Sequence, residues 1–352
     1  MRSGWLAGGV LTVAVLATGG ETGAGEDSAG LVSTASEEQA DPAFLPARVD
    51  PTNPWRQIYH LCEPDGTVIG PLSTEPLLYE TYDRHGSASY SADGTRLAID
   101  AWSSANQRDF TTGRILVMNP DGTGAVDICD GNIPSLSPGG SRIAVSRYKQ
   151  PDCGFNSVWV MNADGSDKTL LDPYGWSAQW SPDGRMIAYH GGSRTCESEN
   201  EFEVNGRNYG RLAIYDVVEQ TYREVFSSLE SPFSSLYWNF DWAPDSRRIA
   251  VQGSLAGGQR IVAIIDVEAG VEGVEFVTEE RYGMTYDWHP DGFGFLAPRP
   301  DQPRRSVVLL GTDGSATPVL SGLPQGLEPA DAVYTPDGTK ILVALRANVP
   351  RN

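Results

Sequence analysis

Cysteine, histidine and methionine are scarce in this chain, at four, four and five residues of 352. The histidines, at 60, 85, 190 and 289, never fall at a His-x-x-x-His spacing, which removes the common helical zinc motif. No Gly-x-Ser-x-Gly elbow is present and no glycine-rich loop leads into a helix. The sequence therefore offers neither an α/β-hydrolase nucleophile nor a phosphate cradle. Positive charge is also in short supply: 26 Lys and Arg stand against 46 Asp and Glu, a net charge of −20. Such a surface repels nucleic-acid phosphates and anionic headgroups, so nucleic acid is the first partner excluded. Basic surfaces, cations and neutral glycans remain. The longest apolar run, Trp5 to Thr18, falls short of the roughly 20 residues that span a bilayer, so no transmembrane domain is expected.

That run reads instead as an export signal. Arg2 supplies the positive start, and Ala17-Thr18-Gly19 resembles a small-x-small cleavage site. Residues 1–19 are expected to be the signal peptide, which places the chain in the periplasm or outside the cell. Residues 20–54, rich in Gly, Glu, Ser, Ala and Thr, bury too little to offset ordering entropy and read as a flexible tether. An uncleaved N-terminus acting as an anchor is the alternative.

The 39 glycines and 24 prolines announce many turns. One pattern recurs six times, at Tyr90–Ile99, Leu136–Val145, Trp180–Tyr189, Trp242–Val251, Trp288–Ala297 and Tyr334–Val343. The steps between copies are 46, 44, 62, 46 and 46 residues, a period that marks a repeat architecture. Each copy has an apolar, usually aromatic, residue ending one strand, a Ser-Pro-Asp-Gly-like turn, and an apolar run forming the next strand. A second hairpin family lies between the copies, as at Ile115–Ile128 and Val158–Leu171. Two hairpins make a four-stranded antiparallel sheet, the unit of a propeller blade. The count closes only if the hairpin at Ile58–Leu72 pairs with the final one at Tyr334–Leu345. The expected fold is therefore all-β, a six-bladed β-propeller over residues 55–346, latched by that pairing, with residues 347–352 as a tail.

These residues resemble the TolB-like six-bladed propeller family, whose repeat carries an aromatic, Ser-Pro-Asp-Gly, an apolar strand and an Ile-Tyr-x-Met-Asn-x-Asp-Gly outer hairpin. Val158 to Gly165 follows that outer half closely. The resemblance covers roughly residues 55 to 345 and implies a fold; propellers of this kind serve many functions. The extra N-terminal α/β domain of that family resembles nothing in this sequence.

Most candidate site residues have a structural explanation. Asp93, Asp183, Asp245, Asp291 and Asp337 recur at turns and are read as turn formers, and the repeat aromatics as inter-blade packing. The long step is more informative, because an insertion at 190–211 lies on one face. Within it Glu197, Glu199, Glu201 and Glu203 alternate with other residues, and an extended strand would put four carboxylates on one side. Calcium or a basic peptide would neutralise them; a solvated acidic loop is the plainer reading. No other cofactor is expected. Asp241 and Asp287 each precede a Trp, and Trp176, Tyr237 and Tyr286 share their lead-in segments. Together these five are expected to rim one end of the central channel as a ligand site. Among the cysteines, Cys153 and Cys196 occupy equivalent loops and are the favoured disulfide, with Cys129 to Cys153 as rival and Cys62 free.

The function expected is that of an exported, non-enzymatic module or scaffold binding a protein or peptide, with basic surfaces favoured. Two readings stand beside it. One is a hydrolase or lyase acting on a glycan in the channel with Asp241 and Asp287 as acid and base. The other is a structural module tethered at the envelope.

Overall fold

The computed structural model describes residues 49–106, 109–148, 156–191, 212–226, 230–237, 240–283, 286–299 and 305–348. The expectations placed on Cys153, Cys196, Glu197, Glu199, Glu201, Glu203 and the export signal lie outside them.

Six antiparallel sheets form a ring. Blade 1 runs outward through Arg84–Tyr90, Leu97–Trp102, Arg114–Met118 and Val126–Asp130. Blade 2 follows with Asn132–Leu136, Arg142–Arg147, Ser157–Asn162 and Thr169–Asp172, and blade 3 with Trp176–Trp180, Met186–His190, Leu212–Asp216 and Thr221–Phe226. In blade 4 the innermost strand is broken into Phe233–Leu236 and Asp241–Trp242, both paired with Arg248–Leu255. Blade 5 opens with Asp287–Trp288 and blade 6 with Leu327–Tyr334. The second strand of every blade carries the apolar run of the repeat. Its residues are nearly all buried, because a propeller sheet has a neighbour on both faces.

Closure follows the pairing expected from the hairpin count. Ile58–Cys62 pairs antiparallel with Ile341–Ala347, in the register Ile58 with Leu345 through Cys62 with Ile341. The first described strand thus becomes the third strand of blade 6. Its outer turn is wedged against the segment entering that blade: Leu320 N–H donates to Pro64 O and Gly322 N–H to Asp65 O, at 2.8 and 2.7 Å. Gly66 sits there at φ +100°, where a Cβ would lie 2.7 Å from two backbone nitrogens. Only glycine fits both the conformation and the space.

The core is divided among the seams. Six hydrophobic clusters each join two adjacent blades, so the buried residues hold sheet to sheet rather than filling one centre. The turn aspartates behave as structural parts. Asp93 accepts from Ser91 Oγ at 2.7 Å and Thr95 N–H at 3.0 Å, and Asp183 and Asp337 repeat the arrangement. These hydrogen bonds lower the Asp93 carboxyl and hold Asp337 at about 2. In blade 4 the usual glycine is Ser246, at φ 55°, and its hydroxyl accepts the Asp183 N–H of blade 3 at 2.9 Å.

Candidate functional site

The innermost strands enclose a cavity of about 310 Å³ on the ring axis, lined by all six blades. Pro138, Pro182, Pro244, Pro290 and Pro336 of the repeat turns line it, with Ala92 at the equivalent position of blade 1. The cavity therefore opens on the turn face. Its walls carry Tyr90, Trp180, Trp242, Trp288 and Tyr334, the ring residues of the repeat, which serve the seams and the cavity at once. Among the described residues the carboxylic acids of the lining are Asp241, Asp287 and Asp331, and no Lys, Arg or His accompanies them.

Polar residues beside the ring positions form a recurring hydrogen-bond pattern. At four of the six seams the side chain just before a ring residue accepts the backbone N–H of the next blade's ring residue. Leu136 donates to Ser89 Oγ (3.0 Å), Trp180 to Ser135 Oγ (2.8 Å), Trp288 to Asp241 Oδ2 (2.7 Å) and Tyr334 to Asp287 Oδ2 (2.6 Å). From blade 3 to blade 4 the contact changes, and the Trp242 indole donates to Gln179 O at 3.1 Å. A second ring lies ten residues beyond the first. Asp100 accepts from Ser87 N–H (2.5 Å) and Ile133 N–H (2.7 Å), and Ser146 from Ser177 N–H (2.7 Å). His190 and Gln252 continue it by donating to the carbonyls of Tyr237 and Tyr282, each at 3.0 Å. Ile133 holds φ 51°, a costly conformation for a β-branched residue, and the Asp100 carboxylate fixes it.

Burial dominates the electrostatics. It raises the Asp100 carboxyl to about 7 against the two N–H bonds that favour its charge. Asp241 and Asp287 are also raised, first by loss of solvent; the Asp241 charge, then that of Asp331, pushes Asp287 further. Each still turns part of its surface to the cavity. Asp331 is 6% exposed, and the Tyr59 hydroxyl lies 2.5 Å from its Oδ2.

Of the five residues expected at the channel mouth, the fold brings Asp241, Tyr286 and Asp287 together in the cavity wall. Trp176 instead packs on Tyr148, ring centroids 4.6 Å apart, and Tyr237 lies under the Arg260 guanidinium at 5.1 Å; neither lines the cavity. Asp100 and Asp331 were not marked by the repeat. The available signal was a polar residue closing an apolar run in Leu97-Ala98-Ile99-Asp100, and an acid three residues before a ring position in Asp331. Cys62 and Cys129 are both free and buried, and loss of solvent pushes their thiols to about 12 and about 11. Among the described residues no group of three or more His, Cys, Asp or Glu could hold a metal ion, and no helix is long and apolar enough to cross a membrane.

Fold and cavity define a six-bladed propeller with an acidic, aromatic-walled axial pocket. In shape it is a TolB-like propeller. It is similar to the crystal structure of TolB from Acinetobacter baumannii at 14% identity and a TM-score of 0.52, covering 84% of this chain and 66% of that one. It is also similar to the structure of putative TolB from Agrobacterium tumefaciens at 17% identity and a TM-score of 0.55, covering 84% of this chain and 99% of that one. No family model matches the chain, and no curated protein matches it. At these identities the likeness concerns the fold.

Proposed function

We propose that the chain is an exported, non-enzymatic binding propeller that holds a protein or peptide partner at the mouth of the axial cavity. The observation that carries this reading is the cavity's construction. Its rim is a ring of rigid prolines, its walls are aromatic, and Asp241 and Asp287 are each tied to a backbone N–H of the next blade. Rigid aromatic surface with a few fixed polar groups suits recognition of a protruding segment at low ordering cost. Export is supported by the leader-like residues 1–19, and the −20 charge favours basic partners.

One observation favours a second reading. Two neighbouring carboxylates held above their ordinary range can act as acid and base on a glycan. Release of reducing ends from a glycan panel, lost in Asp241→Asn, would support that reading over the first.

The binding reading is tested by selecting display-library peptides on the intact chain and measuring them against Ala92→Trp. Ala92 is exposed and stands where five blades place proline, so a large ring there narrows the mouth without entering a seam. Affinities are expected to fall about tenfold or more. Binders indifferent to this change would place the partner elsewhere on the ring.

A further inference from the structure

The cavity's lining is one-sided in charge. Asp241, Asp287 and Asp331 face it from three successive blades, and among the described residues no cationic side chain of the lining offsets them. Asp241 and Asp287 each engage one carboxylate oxygen, Oδ2, with the neighbouring ring residue's N–H. Neither carboxylate has an oxygen among the sealed, unpartnered atoms of the described residues, and both residues are partly exposed along the cavity wall. Around them stand electron-rich ring faces, and one of these rings already pairs with a cation from outside the lining: the Arg248 guanidinium lies 5.6 Å from the Trp288 ring centroid. Two buried donors in the wall, the Tyr286 hydroxyl and the Trp180 indole N–H, have no acceptor among the described residues. A ligand that fits the carboxylates and the ring faces brings a positive charge on a slender stem.

We infer that the cavity takes a cationic side chain, a guanidinium or ammonium presented by a peptide segment, seated between Asp241 and Asp287 against the aromatic wall. The inference rests on the reading of the cavity mouth as a partner site and names the chemistry of the group that enters. A guanidinium matches it best, since its planar fork can meet two carboxylates and stack on an indole. The facing titratable groups are Asp241 on blade 4, Asp287 and Tyr286 on blade 5, Asp331 and Tyr334 on blade 6, and Tyr90 on blade 1. A cation entering among protonated carboxyls must displace a proton, so binding tightens as pH rises.

The test is a calorimetric titration of the intact chain with N-acetyl-arginine amide beside its neutral isostere, N-acetyl-citrulline amide. The arginine probe is expected to bind about tenfold or more tightly than the citrulline probe, because only the former carries the charge. Its affinity is expected to rise several-fold between about pH 5.5 and about pH 8. Asp287→Asn keeps an oxygen for the Tyr334 N–H, so it should remain folded by its melting curve while losing the arginine preference. Equal affinity for the two probes overturns the inference, and so does binding of neither at millimolar concentration. The reading of the mouth as a peptide site is decided separately, by the response of selected peptides to Ala92→Trp.

Discussion

Tyr59→Ala is expected to lower unfolding free energy by about 3–5 kcal/mol, the range for deleting a buried aromatic ring. Tyr59 is fully buried on the strand that closes the ring, within the cluster joining blade 6 to blade 1. Its N–H donates to His85 Nδ1 at 3.1 Å, its ring stacks on the His85 imidazole, and its hydroxyl lies between Asp331 and the Gly86 carbonyl. One side chain thus connects the closing strand to the blade on its other side. Tyr59→Phe removes only the hydroxyl and should cost about 1–3 kcal/mol, the penalty for buried polar groups losing a partner. Urea unfolding with an unchanged m-value measures both. A loss under about 1 kcal/mol in the alanine variant would mean that the ring holds without its latch.

The second large effect is on pH dependence. Asp100, Asp241 and Asp287 have folded-state pKa values raised above those of the unfolded chain, so the folded state binds more protons than the unfolded one. Their contribution is full below the unfolded value and is lost as pH rises through the folded one. Buried His85, lowered to about 4, and His60, also lowered, act oppositely between their folded values and about 6.5. The two effects oppose each other in that lower window and leave the carboxylates alone above it. Stability is therefore expected to fall by on the order of 2 kcal/mol between about pH 6.5 and about pH 8, near 4 °C in melting temperature. General repulsion from the −20 charge has the same sign, but salt screens it. Asp287→Asn should flatten the slope at high salt and raise the melting temperature at about pH 8, because it removes one member of the buried like-charge pair. A slope that high salt abolishes in the parent chain would assign the effect to the surface.

The fold was legible because its information is periodic. Six turns, four of their five steps falling at 44 to 46 residues, and one displaced hairpin determine blade number and closure without knowledge of any contact. The site was legible only where the strand period holds. Asp241 and Asp287 sit one residue before a ring position, and alternation carries them to the axis as expected. Trp176 lies four residues before Trp180, which by the same alternation should share its face. A bulge between Trp176 and Gln179, with Ser177 at φ 56°, breaks the count and turns Trp176 to its contact with Tyr148. Blade 6 shows the reverse, since its register shift between Pro329 and Asp331 brings to the cavity an acid whose spacing does not match its counterparts. Asp100 stayed hidden because its role is to hold bulged backbone in two blades, and nothing in the residue string announces where a bulge falls.

The most direct test of the axial mouth as the binding site is an environment-sensitive fluorophore on Ala92→Cys, read while a selected peptide is added. Cys62 and Cys129 are buried with raised thiol pKa values and will not compete for the label, and Cys153 and Cys196 are replaced by serine for the purpose. The account predicts a blue shift that saturates with calorimetric binding. Full binding with a silent label at residue 92, while a label on exposed Val218→Cys at the outer edge responds, would contradict it.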